Sequence, residues 1–258
     1  MLKYKTSLFV SMIVCLFFLV APMLSQAASK PIVIRTGYAM NTEESVHFGG
    51  LKFAEIVAKK TNDRIQVKLY PAGQLGDTTQ EMGNLKMGEQ EIYIESGTVG
   101  SRFVPDFLVL TVPFLLRDND HANKVYNGAV GVELADKLLK SQGIRMITSS
   151  WEIAPRHLLT KKKVSSLKDL MGSKVRVPQN PIFLKSWKEL GASPTPMSLP
   201  EVYLGLQQGA IEGVEMPLDW ISTQKYYEAA KYCWLTYHAY EMRSVYMNDK
   251  FFQGFKKA

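Results

Sequence analysis

Two cysteines in 258 residues leave little for covalent cross-linking, and Cys15 lies inside the chain's first apolar run. Cys233 then stands alone, and a lone thiol closes no internal disulfide. A chain exported to an oxidising compartment on these terms must be held by its core. Catalytic signatures are missing as well: there is no G-x-S-x-G, H-E-x-x-H, P-loop or G-x-G-x-x-G. The four histidines, at 47, 121, 157 and 238, are scattered. His238-x-x-Glu241 would place two ligands on one helical face, too few for a metal site. Glu43 and Glu44 read as helix-start residues, and Cys233, between Tyr232 and Trp234, reads as core. No cofactor or metal is expected, and binding is favoured over catalysis.

Charge of one sign is not concentrated either. Thirty-one Lys and Arg against 24 Asp and Glu give a formal charge of +7. The one dense cluster, Lys161-Lys162-Lys163, falls between two expected elements as a solvated loop. Without a basic stripe interleaved with aromatics, nucleic acid is not an expected partner. A mildly cationic surface suits an anionic small ligand.

Long apolar runs number one. Leu8–Ala21 follows Lys3 and Lys5 and precedes Leu24-Ser-Gln-Ala27-Ala28, the layout of a secretory signal peptide cleaved near Ala27 or Ala28. The run is short of the ~20 residues that span a bilayer. Cys15 sits mid-run, away from the position of a lipid-modified cysteine, and leaves with the signal. The charge then falls to +5, because residues 1–28 hold no acid. The expected location is outside the cytoplasm.

Beyond that run, strand patterns alternate with helix patterns. Ile32–Thr36 reads as a strand, then a helix capped by Asn41 or Thr42 with Leu51, Ala54 and Ala58 on one face. Ile65–Leu69 is a strand, and Asp77 caps a helix to Met87. Glu91–Ser96 is a strand, one helix runs from near Asn119 to Lys140, and Ile144–Ser149 is a strand. Trp151–Arg156 reads as a crossing into a second unit. There His157–Thr160 continues, a helix spans Ser166–Met171, Lys174–Val177 is a strand, and Asn180-Pro181 opens a helix closed by Gly191. Ser198-Leu-Pro-Glu201 is a capping box for a helix to Gln208. Gly213–Glu215 is a short strand and Pro217 opens another helix. Such alternation implies two α/β units. The division expected is a signal peptide over 1–28, a first domain over 29–153, a second over 154–241, and a return toward the first over 242–258.

Arg176 ends an apolar strand and is followed at once by Pro178 and Pro181. Strand ends of open α/β sheets are where ligands bind, and a guanidinium matches a carboxylate with two parallel N–H bonds. The segment behind it, GASPTPMSLPEVYLGLQQGAIEGVEMPLDWISTQKYYE, closely resembles the solute-binding proteins of tripartite ATP-independent periplasmic (TRAP) transporters. LYPAGQLGDTTQEM (69–82), IYIESG (92–97) and VPFLLRDNDHA (112–122) carry the likeness upstream.

The resemblance implies a two-domain periplasmic solute-binding fold of type II-like topology, with mixed sheets flanked by helices and a ligand cleft between domains. It implies a location in the periplasm and a monomer that captures a small carboxylate, including the C4-dicarboxylate class, and passes it to TRAP permease subunits in the membrane. By that likeness Arg176 is the carboxylate clamp, Arg156 a second arginine and Glu95 a ligand-facing acid. Met216 stands where the family has a polar asparagine, and Thr78 where it has an acid. Both changes argue against sialic acid and for a less hydroxylated carboxylate. Phe183 and Tyr203 are candidate walls, and Trp220 reads as packing. Each residue keeps a structural alternative: a surface ion pair for Arg176, a domain-crossing role for Arg156, a helix cap for Glu95 and core packing for Met216. A ligand-sensing module and an exported enzyme are the rival functions. Family members continue for several dozen residues past position 258, so the likeness also implies a shortened chain.

Overall fold

Parallel strands need a covered crossover between them, and the alternating pattern supplies one after almost every strand. The computed structural model describes residues 30–255, so the signal-peptide reading lies outside it. β1 (Ile32–Gly37) leads through α1 (Ser45–Thr61) to β2 (Ile65–Tyr70), which lies parallel to β1 with Ile34 opposite Val67. Neither Asn41 nor Thr42 caps α1, whose cap position is Glu44. The Asn41 side chain instead accepts from Glu43 N and donates to the distant Thr223 carbonyl, at 2.9 and 3.0 Å. Leu51 is exposed, and α1 rests on β2 through Gly50, where a Cβ would come within 3.1 Å of Leu69.

α2 (Thr78–Met87) starts on a full capping box. Asp77 accepts from Thr79 N and Gln80 N at 2.8 and 2.9 Å, and the Gln80 side chain accepts from Asp77 N at 2.8 Å. β3 (Ile92–Ser96) comes next, then short 3-10 turns, then two helices where one is expected: α3 (Asn119–Tyr126) and α4 (Ala129–Gln142). The break comes at Asn127-Gly128. Gly131 then packs so tightly that a Cβ would fall 1.8 Å from the Tyr126 carbonyl oxygen.

β4 (Ile144–Glu152) completes that half of the chain, and β5 (Arg156–Thr160) opens the second sheet. The expected Ser166–Met171 helix is a single 3-10 turn, Leu167–Leu170. β6 (Lys174–Val177), α5 (Pro181–Glu189) and β7 (Ser193–Pro196) succeed it. β7 is not expected from sequence, since Ser-Pro-Thr-Pro does not read as strand. It pairs only with β6, and proline is tolerated on such an edge. α6 (Val202–Gln208), β8 (Gly213–Pro217) and α7 (Leu218–Thr223) come next.

β9 (Tyr232–Ala239), β10 (Met242–Asn248) and α8 (Asp249–Gly254) end the described chain. His238 and Glu241 therefore lie at a strand end and a strand–strand turn, not on a helix. Cys233 is exposed on the edge strand β9, not core.

The strand orders are β2-β1-β3-β10-β4 and β7-β6-β8-β5-β9, each mixed parallel and antiparallel. Two segments cross between the sheets, 152–156 and 239–242, and they run side by side. Met242 pairs with Glu152, Arg156 with Ala239, and Ile153 N donates to the Glu241 carbonyl at 3.3 Å. One buried cluster spans both sheets, joining Ile34, Ile92 and Val245 to Val202, Val214 and Met216.

Candidate functional site

β6 places Arg176 at the edge of a cavity of about 110 Å³ between the two sheets. The Arg176 Nε and Nη2 donate to the Met197 carbonyl at 2.9 and 2.7 Å. A guanidinium has five N–H donors, and the Nη1 pair has no protein acceptor among the described residues. No carboxylate pairs with this side chain either, although it is only 4% exposed. Burial pulls its pKa down to about 10, with Glu215 opposing and Arg156 reinforcing the shift. It stays charged at neutral pH. Among the buried arginines at this cavity it is the one without a counter-ion.

Arg156 is the contrast. At the start of β5 its Nε and Nη2 grip the two Glu215 carboxylate oxygens at 2.6 and 2.7 Å, and Nη2 also reaches the Glu215 carbonyl at 3.1 Å. Nη1 lies 3.9 Å from a Glu241 oxygen, and the Phe183 ring sits 5.1 Å from the guanidinium carbon. Burial alone would lower the arginine's pKa, but Glu215 and Glu241 outweigh it and hold it above its usual range. Glu215 sits below the carboxylate range despite its burial, because Arg156 and His238 stabilise its charge. His238 Nε2 lies 3.1 Å from Glu215 Oε2.

Glu95, at the end of β3, lines the same cavity. One of its oxygens accepts from Ser96 N at 2.8 Å, and the other is 3.4 Å from the Tyr93 hydroxyl. Burial raises its pKa, and Arg243 partly offsets the rise. Thr78 lines the wall beside it, its hydroxyl accepting from Tyr93 at 3.0 Å. Asn180 contributes to the lining while capping α5, its side-chain oxygen accepting from Ile182 N and Phe183 N. The two halves meet beside it, where the Thr111 hydroxyl lies 3.4 Å from the Asn180 side-chain oxygen.

Arg176, Arg156, Glu95, Thr78 and Phe183 therefore share one wall system. Met216 and Tyr203 do not join it. Strand alternation sends Met216 to the face opposite Glu215, where it is fully buried in the shared core. Tyr203 donates to Glu228 at 2.6 Å and accepts from Gln207 at 3.0 Å. Its hydroxyl belongs to a surface network. Sequence patterns point to Glu241 only as a partner of His238, not as the buried cavity-wall residue it is, and they assign Trp220 to packing alone. Trp220 does pack, but it also lines the cavity with an indole N–H that has no acceptor among the described residues. The helical spacing with His238 is no guide to this role, since it is the β9–β10 turn that brings Glu241 to the cavity. Among the described residues no group of three or more His, Cys, Asp or Glu is placed to hold a metal.

The family model described as bacterial extracellular solute-binding protein, family 7, matches residues 36–258. The chain is 30% identical to the 2,3-diketo-L-gulonate-binding periplasmic protein of Escherichia coli K12, covering 86% of this chain and 67% of that one. A sugar acid binding protein of Advenella mimigardefordensis, crystallised with galactonate, superposes with a TM-score of 0.83 at 32% identity. That alignment covers 87% of this chain and 72% of the other. A TRAP periplasmic solute-binding protein of Sulfurospirillum deleyianum with bound succinate gives 0.83 at 31% identity, covering 88% and 73%.

Proposed function

The chain belongs to the bacterial extracellular solute-binding proteins of family 7, and on that footing we propose that it captures a small carboxylate outside the cytoplasm and hands it to a TRAP-type membrane permease driven by an ion gradient. The family is one of solute-binding proteins and not of enzymes, and in this reading the protein binds its solute unchanged, as a monomer. The observation that carries the proposal is Arg176, a buried cation at the cavity with N–H groups to spare and no acidic partner. A buried charge without a counter-ion is unfavourable, and a ligand carboxylate removes that penalty while forming charge-assisted bonds of about 1.5–3 kcal/mol each. Galactonate and succinate, bound by structural relatives, have the carboxylate in common.

At about 110 Å³ the cavity is well below the ~300 Å³ of pockets for drug-sized ligands, which favours a compact acid the size of a sugar acid or smaller. A cleft closed over the ligand is the state a bound solute favours and a permease would recognise. A thermal-shift comparison of galactonate with galactitol, its uncharged counterpart, tests the carboxylate requirement. Stabilisation by the acid alone is expected, and equal shifts from both would contradict the proposal.

A further inference from the structure

Two buried arginines line the cavity, and only Arg176 lacks a carboxylate partner. The Arg156 fork is filled by Glu215, its remaining Nη1 faces Glu241, and one face of the guanidinium is covered by Phe183. Glu241 itself is 3% exposed, and its carboxylate accepts no hydrogen bond among the described residues. It sits on the cavity wall with unused acceptor capacity, and Glu95 contributes a second carboxylate there. Arg102 lies on the rim, donating to the Thr79 hydroxyl at 2.7 Å in an exposed setting. Inside the cavity there is one seat for an anion and, beyond it, acceptors for hydrogen-bond donors.

We propose that Glu241 is the specificity-determining residue of this site, confining the solute to a monocarboxylate that presents a hydroxyl to it and turning away the matching dicarboxylate. The inference rests on the carboxylate reading of the proposed function. A second carboxylate beyond Arg176 would face Glu241 and Glu95 in a low-dielectric enclosure, where like charges repel strongly. A hydroxyl in the same place donates to a carboxylate that otherwise lacks a donor. Glu241 acts doubly, since its charge also lies 3.9 Å from Arg156 Nη1 and weakens the pull of that arginine on a second anion.

Matched acids test this directly. Galactonate and galactarate differ only in a terminal hydroxymethyl against a carboxylate, as do erythronate and meso-tartrate. Calorimetry on the wild type is expected to favour the monoacid of a pair by about tenfold or more, a gap of about 1.4 kcal/mol. In Glu241→Gln the ratio should shrink at least about fivefold, and Arg176→Ala should abolish binding of both acids. Equal or tighter diacid binding by the wild type overturns the inference, as does an unchanged ratio in a folded Glu241→Gln. If Arg176→Ala abolishes binding while Glu241→Gln leaves the ratio unmoved, the inference alone fails. If no acid of the panel binds, it fails together with the carboxylate reading. The wild-type ratio decides even if Glu241→Gln does not fold.

Discussion

Arg156 and Glu215 are locked face to face across β5 and β8 by contacts of 2.6 and 2.7 Å, with neither side chain exposed beyond 5%. Such a pair holds geometry more than it adds stability, because burial of both ions offsets most of their attraction. Removing one partner is another matter. Glu215→Gln leaves Arg156 with a single distant carboxylate and is expected to lower unfolding free energy by about 3–5 kcal/mol. The double replacement Arg156→Met with Glu215→Leu should lose far less. Urea titration of the three chains measures both, and a harmless Glu215→Gln would refute the structural role.

A second prediction concerns Glu81, fully buried under β1 with its Oε2 accepting from Gln90 at 2.7 Å and its Oε1 unpartnered. Burial pushes its pKa up to about 8. Between the unfolded carboxyl value and that pKa the native state holds a proton the unfolded chain has released, so stability falls as pH rises through this window. The slope from this group is at most about 1.4 kcal/mol per pH unit. Glu81→Gln keeps an acceptor for Gln90 and should flatten the dependence between about pH 5 and 8. Parallel stability–pH curves for wild type and variant would show the assignment to be wrong.

Asp77 anchors both the start of α2 and one edge of the cavity. Asp77→Ala is expected to cost about 1 kcal/mol through the lost cap, and Asp77→Asn much less, because asparagine caps almost as well. Thermal melts should separate the two by about 2–4 °C. Equal melting temperatures for the two variants would mean the cap contributes nothing.

Met216 is predicted to matter for stability and not as a ligand contact. Met216→Ala opens a cavity in the cluster shared by the two sheets and should lower stability by about 2–5 kcal/mol. Denaturant unfolding checks the size, and a loss well under 1 kcal/mol would place the side chain outside the core.

Local signals are legible in the sequence and long-range ones are not. Asp77 with Gln80, Asn180 with Pro181, and Ser198 with Glu201 form caps within three residues, and each stands where its pattern predicts. Arg176 is legible from the strand end and the prolines behind it. The Arg156–Glu215 pair joins residues 59 apart in sequence and exists only because β5 lies antiparallel to β8. β10 escapes sequence patterning because all seven of its residues are buried, Arg243 and Ser244 among them, so neither alternation nor a clean apolar run marks it. Glu241 becomes a cavity residue only because β9 and β10 lie in different sheets.

Arg176 standing free for a ligand carboxylate is the central claim, and isothermal calorimetry of Arg176→Ala and Arg176→Lys tests it most directly. With an acid that binds the wild type, such as galactonate, the alanine variant should show no measurable binding. Lysine, lacking the planar fork, should retain only a remnant weaker by about 1.5–3 kcal/mol, the worth of one charge-assisted bond. Unchanged affinity in either folded variant would contradict that claim.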